Sequence, residues 1–232
     1  MIFNHKTMTE EAALALRKGI LQGSYPSGTR LVPAKLEEEL QLSRTAIREA
    51  IRELVGTGLA DSETHKGACV AEPLELEEIR SIFNIRYQLE GEAAFRGTRQ
   101  ISSQSIETME YLLDQMSSAE TSGRYVDFLL NQQFHVVLYQ AAGWRYLVKV
   151  IDRMFDQVLV FRAGLYKQFT DEQRDTLLTR ESFKPYHDDH VKIMSFVKKG
   201  DQKGTRKAVV DNLKRGFADL EKIVCFLEDA KT

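Results

Sequence analysis

Two arginines one helical turn apart are the first residues whose type and spacing indicate a chemistry. Arg44 and Arg48 lie on one face of any helix that contains them, with Thr45 beside that face. A guanidinium group can donate two hydrogen bonds to the N7 and O6 atoms of guanine, so such a face is suited to a DNA groove. Glu49 and Glu53 alternate with the arginines, and the same pattern also fits a solvent-exposed helix whose charges pair with one another.

A second group is an arginine and a glutamate on an apolar helical stripe. Arg86 and Glu90 are four residues apart. Their neighbours on the stripe are Ile79, Ile82, Phe83, Leu89 and Ala93. A charge in that position costs free energy unless it is paired. Two interpretations follow: the two side chains pair with each other, or Arg86 faces a cavity and binds a ligand carboxylate with two hydrogen bonds.

Two histidines and an asparagine also lie among apolar residues. Asn131 and His135 are four residues apart, and His190 follows much later in the chain. Their apolar neighbours are Phe128, Leu138, Tyr139, Ala142, Phe183, Ile193, Met194 and Val197. A single histidine in such a place is usually a hydrogen-bonded core residue. Polar groups on several inward faces indicate instead one shared cavity for a small molecule.

The elements that must position the arginines lie at the N-terminus. Periodicity and capping residues predict three helices: one from a cap at Thr7 or Thr9 to Gly23, one over 34–40, and one from a cap at Ser43 to Gly56 or Gly58. The segment 59–71 has apolar ends around a polar tip that contains glycine, which predicts two strands joined by a loop. Three helices followed by a hairpin is the winged helix-turn-helix pattern.

Everything after Pro73 has helical periodicity. The predicted helices span 74–98, 103–121, 124–142, 144–167, 172–199 and 201–229. The expected fold is therefore mainly α, with a winged helix-turn-helix domain over 1–72 followed by an all-α antiparallel helical bundle over 73–232.

Composition limits the partners and the compartment. The 232 residues include 32 Lys and Arg against 34 Asp and Glu, so a nucleic acid must be bound by a local patch rather than by net charge. Cys69 and Cys225 match no disulfide framework or zinc knuckle, which favours a reducing compartment. No signal-peptide core and no run of about 18 apolar residues is present, so we expect a cytoplasmic protein with no membrane partner.

The N-terminal motif resembles the DNA-binding signature of GntR-family bacterial repressors. The matching residues are Pro26, Gly28, Leu31, Ser43, Arg44, Thr45, Arg48, Glu49, Ala50, Gly58, Leu59 and Gly67. Gln41 and Ala46 stand where that family often has Gly and Pro. The resemblance implies a double-stranded DNA operator as partner.

The resemblance also implies a role for each matching position. Arg44 and Arg48 would read bases, and Ser43 and Thr45 would contact phosphates. Further phosphate contacts are expected from Arg30 and Lys35. The wing tip would enter the minor groove, which assigns that role to His65, Lys66 and Gly67. For His65 and Lys66 the alternative is a solvated loop without a DNA contact.

The helical half resembles the FCD-type effector domain of the FadR subfamily, on the marks Arg86-x-x-Leu-Glu90, Phe134-His135 and Asp189-His190. Many members hold a divalent metal with one aspartate and three histidines, which map here to Asn131, His135, His190 and Asn212. Neutral amides are poor ligands at an imidazole site, so no metal cofactor is expected. If a metal were bound, His135 and His190 would be its ligands. The predicted effector-binding residues are Arg86, Asn131, His135, His190 and Asn212.

Three functions are compatible with these patterns. The first is a ligand-responsive repressor that binds a palindromic operator as a homodimer and is released or retuned by a small polar or anionic metabolite, for example a carboxylate. The second is a constitutive DNA-binding dimer with a vestigial sensor pocket. The third is a metal-dependent enzyme, but the chain contains no nucleophile elbow, HExxH motif, P-loop or dinucleotide-binding glycine motif. The sequence therefore predicts a regulator and not an enzyme.

Overall fold

The chain divides into two compact units. The computed structural model describes residues 7–63, 67–118, 124–170, 173 and 180–229. One unit contains Met1–Leu74 with Asp156–Gly164, and the other contains Glu75–Phe155 with Leu165–Thr232. The predicted boundary at 72/73 lies two residues from the division at Leu74. The segment Asp156–Gly164, which was expected in the bundle, belongs to the first unit.

The first unit has the predicted winged helix-turn-helix architecture. Its elements are α1 (Met8–Gln22), α2 (Pro33–Leu40), α3 (Arg44–Thr57), β1 (Ala60–Glu63) and β2 (Gly67–Val70). The two strands are antiparallel, with Ala60 opposite Val70. The core contains apolar residues of α1 and α3, among them Leu16, Ile20, Ile47 and Leu54, together with Val160 from the segment Asp156–Gly164.

Local capping explains where the helices of this unit begin and end. The hydroxyl of Thr7 accepts from the backbone N–H of Glu10 at 3.1 Å, and the Glu10 carboxylate accepts from the N–H of Thr7 at 2.8 Å. Thr7 is therefore the cap of α1. Ser43 caps α3 through the N–H of Ala46 at 3.3 Å, and α3 ends at Gly58, whose φ is 78°.

Gln41 forms the tight turn between α2 and α3. Its φ is 55°, and it is the one residue other than glycine with positive φ in the described part of the chain. Glycine adopts this conformation without a steric penalty, which explains why glycine suits this position better than glutamine.

The second unit is a helical bundle, as predicted. Its helices are α4 (Leu76–Gln100), α5 (Ser103–Ser118), α6 (Arg124–Gln140), α7 (Arg145–Tyr166), α8 (Arg180–Lys198) and α9 (Gln202–Asp229), with α7 shared with the first unit. α4 packs on α6 and α9, α5 packs on α6 and α8, and α8 packs on α9. Most of the first turns of the helix predicted over 172–199, at 172 and 174–179, lie outside the described residues.

A glycine brings α4 and α6 close together. A Cβ atom on Gly97 would lie 2.1 Å from the main-chain oxygen of Leu138, well inside van der Waals contact. Because α4 carries Arg86 and α6 carries His135, this contact fixes the spacing of two helices that hold the predicted ligand-site residues.

None of the helices in the described ranges combines the length and the apolar character that a membrane span requires.

Candidate nucleic-acid interface and ligand site

The first turns of α3 present a polar face to solvent. Arg44, Thr45 and Arg48 are exposed. The opposite face is buried through Ala46, Ile47, Ala50, Ile51 and Leu54. The structure therefore leaves the predicted base-reading residues accessible on one side of a helix that is anchored on the other.

The arginines of this face do not pair with the glutamates that alternate with them. Arg44 Nε donates to Oε2 of Glu37 on α2 at 2.7 Å. Glu49 pairs with Arg52 instead. Arg48 forms no ion pair with any residue that the structure describes. The helix therefore has the Glu49–Arg52 surface pair of a solvated helix, but Arg44 and Arg48 do not pair with Glu49 or Glu53.

The other predicted DNA contacts are distributed around this helix and the wing. Lys35 is exposed on α2. Arg30 forms a single β-bridge with Cys69, and its side chain and Gly67 line one surface groove. Gly67 has φ 89°, a conformation that favours glycine. His65 and Lys66 lie outside the described residues.

In the second unit, Arg86 and Glu90 form a buried ion pair. They are 2% and 1% exposed, and Arg86 Nε donates to Glu90 Oε1 at 2.6 Å. The guanidinium carbon lies 4.8 Å and 5.1 Å from the ring centroids of Phe83 and Phe155. Of the two interpretations of Arg86, the pairing with Glu90 is the one that the structure contains.

Tyr139 connects this ion pair to His135. The tyrosine hydroxyl donates to Glu90 Oε2 at 2.8 Å, since a carboxylate paired with arginine can only accept. The same hydroxyl has one proton, so its oxygen must accept from His135 Nδ1, 3.2 Å away. His135 Nε2 is then left with a lone pair, and this buried atom has no hydrogen-bond partner.

His190 is held by a main-chain carbonyl and by an amide. Its Nδ1 lies 2.6 Å from the Tyr186 carbonyl oxygen, which can only accept, so Nδ1 carries a proton. Its Nε2 lies 2.8 Å from the amide end of Asn131. An uncharged His190 accepts at Nε2, which requires the Asn131 amide to present its NH₂ group there.

Burial keeps both histidines uncharged near neutral pH. Removal from water lowers the pKa of His190 to about 4. It lowers the pKa of His135 well below its ordinary value, and a positive charge on the neighbouring His190 or Arg86 acts in the same direction. Burial and the Glu90 carboxylate raise the pKa of the Tyr139 hydroxyl well above its ordinary value, so Tyr139 remains a donor.

The five predicted effector residues meet in one polar core. The ring centroids of His135 and His190 are 5.1 Å apart. Asn212 influences the pKa of His135, and its NH₂ group reaches Asp189 at 3.5 Å. Arg86 completes the set through Glu90 and Tyr139. The role of Tyr139 was missed in the sequence, where it was counted as an apolar stripe residue; its four-residue spacing from His135 was the available signal.

Two family profiles match the chain. The profile described as bacterial regulatory proteins, gntR family, matches residues 8–70, and the profile described as FCD domain matches residues 81–215. The chain belongs to the GntR family. It is a DNA-binding transcriptional regulator with an effector-binding FCD domain, and the matches are to regulators rather than to an enzyme family. The FCD match is consistent with the predicted FadR subfamily.

Individual relatives of this GntR-family regulator cover most of its length. The HTH-type transcriptional regulator McbR of Escherichia coli is 23% identical over 93% of this chain and 94% of McbR. The HTH-type transcriptional repressor GlaR of Escherichia coli is 25% identical over 78% of this chain and 81% of GlaR.

The fold is likewise similar to that of solved regulators. The structure of Escherichia coli McbR has a TM-score of 0.76 and 20% identity, over 94% of this chain and 98% of that one. A transcriptional regulator of Rhodococcus has a TM-score of 0.67 and 18% identity, over 94% and 98%.

The core of the FCD domain does not suit a divalent metal. The resemblance would place its ligands at Asn131, His135, His190 and Asn212, and these residues do lie in one core. Two of the four are neutral amides, and no carboxylate among them balances the charge of a metal ion. In the described ranges, no group of three or more His, Cys, Asp and Glu side chains is arranged to hold a metal ion.

Proposed function

We propose that this regulator is a cytoplasmic homodimeric repressor that binds a palindromic operator and is released by a small polar metabolite, without a metal bridge. The observation that carries the proposal is the polar core of the FCD domain, where a buried acceptor, His135 Nε2, has no partner. A polar atom left unsatisfied in a core costs free energy, and such an atom is a marker of a site that a ligand completes.

The DNA-binding part of the proposal rests on α3. Arg44 and Arg48 are exposed on one face, as direct readout of guanines requires. A single recognition helix buries too little surface for tight specific binding, which favours two copies on an inverted repeat. The description of GlaR as a repressor supports repression as the direction of control.

An exposed aromatic patch on the second unit supports a homodimer. Trp144 and Tyr146 are 40% and 81% exposed, and with Leu89 and Leu147 they line a surface pocket of about 410 Å³. Aromatic side chains in such a position are typical of protein interfaces. Arg145 also lines the pocket, and arginine is likewise common at protein interfaces.

The helix α7 offers a route between ligand and DNA. Phe155 contacts the guanidinium of Arg86. The next two residues belong to the first unit, and Asp156 pairs with Arg17 there. The amide of Gln157 donates to the carbonyl oxygens of Thr57 and Gly58 at the end of α3, at 3.2 and 2.8 Å. A ligand that shifts α7 would therefore alter the support of the recognition helix.

A mobility-shift assay with the DNA upstream of its own gene tests this function. We expect a retarded complex with two chains per operator by sedimentation, and its release by a metabolite extract of the source cell. A complex that no extract releases would favour a constitutive DNA-binding dimer, and the absence of any complex would contradict the proposal.

A further inference from the structure

We infer that the effector of the FCD core is an uncharged molecule that donates a hydroxyl hydrogen bond to His135 Nε2. The inference rests on the proposed function and narrows it to one ligand class. It also replaces the expectation that Arg86 binds a carboxylate.

The hydrogen bonds of the core determine what His135 can accept. Glu90 pairs with Arg86 and accepts from the Tyr139 hydroxyl. Tyr139 in turn accepts from His135 Nδ1, which places the lone pair of the ring on Nε2. His135 is 3% exposed and Nε2 has no partner. A ligand that completes this atom must bring a donor, and a carboxylate brings none.

The charges of the core argue against an ionic ligand. Arg86 and Glu90 cancel each other at 2.6 Å, and the aromatic rings of Phe83 and Phe155 lie against the guanidinium. The remaining nearby carboxylate, Asp189, is taken by Arg215 at 2.7 Å. An anion in this core would lie beside the Glu90 carboxylate, and a cation would lie beside the Arg86 guanidinium. Because the pair is neutral as a whole, neither ion finds a net opposite charge to balance the cost of its burial.

The two amides of the core fit hydroxyl groups. A hydroxyl both donates and accepts, and an amide side chain offers both an acceptor and a donor. Asn212 interacts weakly with His135, enough to raise its pKa, but no side chain lies within normal hydrogen-bond geometry of Nε2 in the described residues. Asn131 lies beside His190. Asn131 is the member of the five-residue set that is not fully buried, so we expect a ligand to approach from its side.

Ion-exchange fractionation of the releasing extract tests the ligand class while the ligand itself is still unidentified. The metabolite extract is passed over a strong anion exchanger and then over a strong cation exchanger, and each fraction is assayed for release of the full-length regulator from operator DNA. We expect the releasing activity in the material that neither resin retains. Activity retained by either resin would overturn the inference and leave the proposed function intact. An unfractionated extract that releases nothing would instead contradict the proposed function itself.

Substitutions test the contact to Nε2. His135→Phe keeps the ring shape but removes the acceptor, whereas His135→Gln retains a polar end near the position of Nε2. We expect His135→Phe to need at least a tenfold higher dose of the unretained fraction for release from DNA, and His135→Gln to recover part of the response. The control variant His187→Gln on α8 should need the wild-type dose.

Thermal melting with and without the fraction checks folding and binding directly, since a ligand of the folded state raises the midpoint. If a folded His135→Phe variant responds at the wild-type dose, the inference is wrong. If that variant does not fold, the fractionation of the wild-type response decides.

Discussion

Arg44 of the recognition helix is held by Glu37 of the preceding helix, with 2.7 Å between Nε and Oε2. The Arg44 side chain is 54% exposed and the Glu37 side chain is 36% exposed. An arginine that reads guanine through Nε must give up this bond when DNA binds. We therefore predict that the pair competes with base readout.

We expect Glu37→Gln to strengthen operator binding by up to about fivefold, because an exposed ion pair contributes roughly 0.2 to 1 kcal/mol. Glu38→Gln is the matched control, since it removes the same charge from α2 without releasing Arg44. Fluorescence anisotropy with labelled operator measures both variants. If Glu37→Gln weakens binding and Glu38→Gln does not, Glu37 positions Arg44 for readout instead of competing with it.

Arg48 and Lys35 are predicted to contribute to DNA binding in different ways. Arg48→Ala should cost about 1 to 3 kcal/mol on the operator and relax the preference at particular base pairs. Lys35→Ala should weaken binding to all sequences alike and reduce the salt slope by about 1, because a phosphate contact releases a counterion. Titrations of operator and random DNA at several salt concentrations separate the two effects. An unchanged ratio of operator to random affinity in Arg48→Ala would exclude it as a base reader.

The buried His190 should make the bundle less stable in mild acid. Its pKa is about 4 when folded, against about 6.5 when unfolded. Above pH 6.5 neither state binds the proton. As the pH falls below 6.5 the unfolded chain becomes protonated first, so the free energy of unfolding falls until about pH 4.

Between pH 7.5 and pH 5.5, protonation of His190 in the unfolded chain lowers the free energy of unfolding by about 1.4 kcal/mol. Urea unfolding followed by the fluorescence of Trp144, the single tryptophan of the chain, reports on the bundle. His190→Gln should remove about that amount from the pH dependence, with His187→Gln as the matched control. Equal losses of unfolding free energy in wild type and His190→Gln would show that folding does not lower the pKa of His190.

The close approach at Gly97 predicts a strong effect of one added methyl group. Gly97→Ala would place Cβ against the main chain of Leu138, which cannot move away by a rotamer change, so a loss of about 3 kcal/mol is expected. Gly216→Ala on α9 is the control, because nothing lies within 4 Å of a Cβ there and alanine should add up to about 1 kcal/mol. Urea unfolding measures both. A neutral Gly97→Ala would mean that α4 and α6 can separate without cost.

We expect the purified regulator to carry far less than one zinc, manganese or nickel ion per chain, because of the amides at Asn131 and Asn212. Elemental analysis after purification without chelators measures this. The double variant Asn131→Asp, Asn212→His restores the donor types of the subfamily and should take up metal. Near-stoichiometric metal in the wild type that disappears in His190→Ala would contradict the expectation.

The sequence predicted what depends on local periodicity and capping. The stripe of α3 and its cap at Ser43 are local, and the structure contains both. The partner of Arg44 could not be derived in the same way, because Glu37 lies on another helix across the Gln41 turn. Gly97 gave no signal either, since only the packing of α6 against α4 explains it. For Arg86 the sequence allowed two partners, Glu90 or a ligand carboxylate. Which one Arg86 binds depends on how deeply its charge is buried, and spacing alone does not reveal that burial.

The ring N–H of His190 donates to the main-chain carbonyl of Tyr186. His190 is only 3% exposed. Such a proton exchanges with solvent only when the core opens, so it should give a slowly exchanging downfield resonance in an NMR spectrum of the histidine-labelled protein. The chain has five histidines, which makes the signal assignable by its loss in His190→Gln. Its exchange rate would then measure how often the FCD core admits water, without any attached probe.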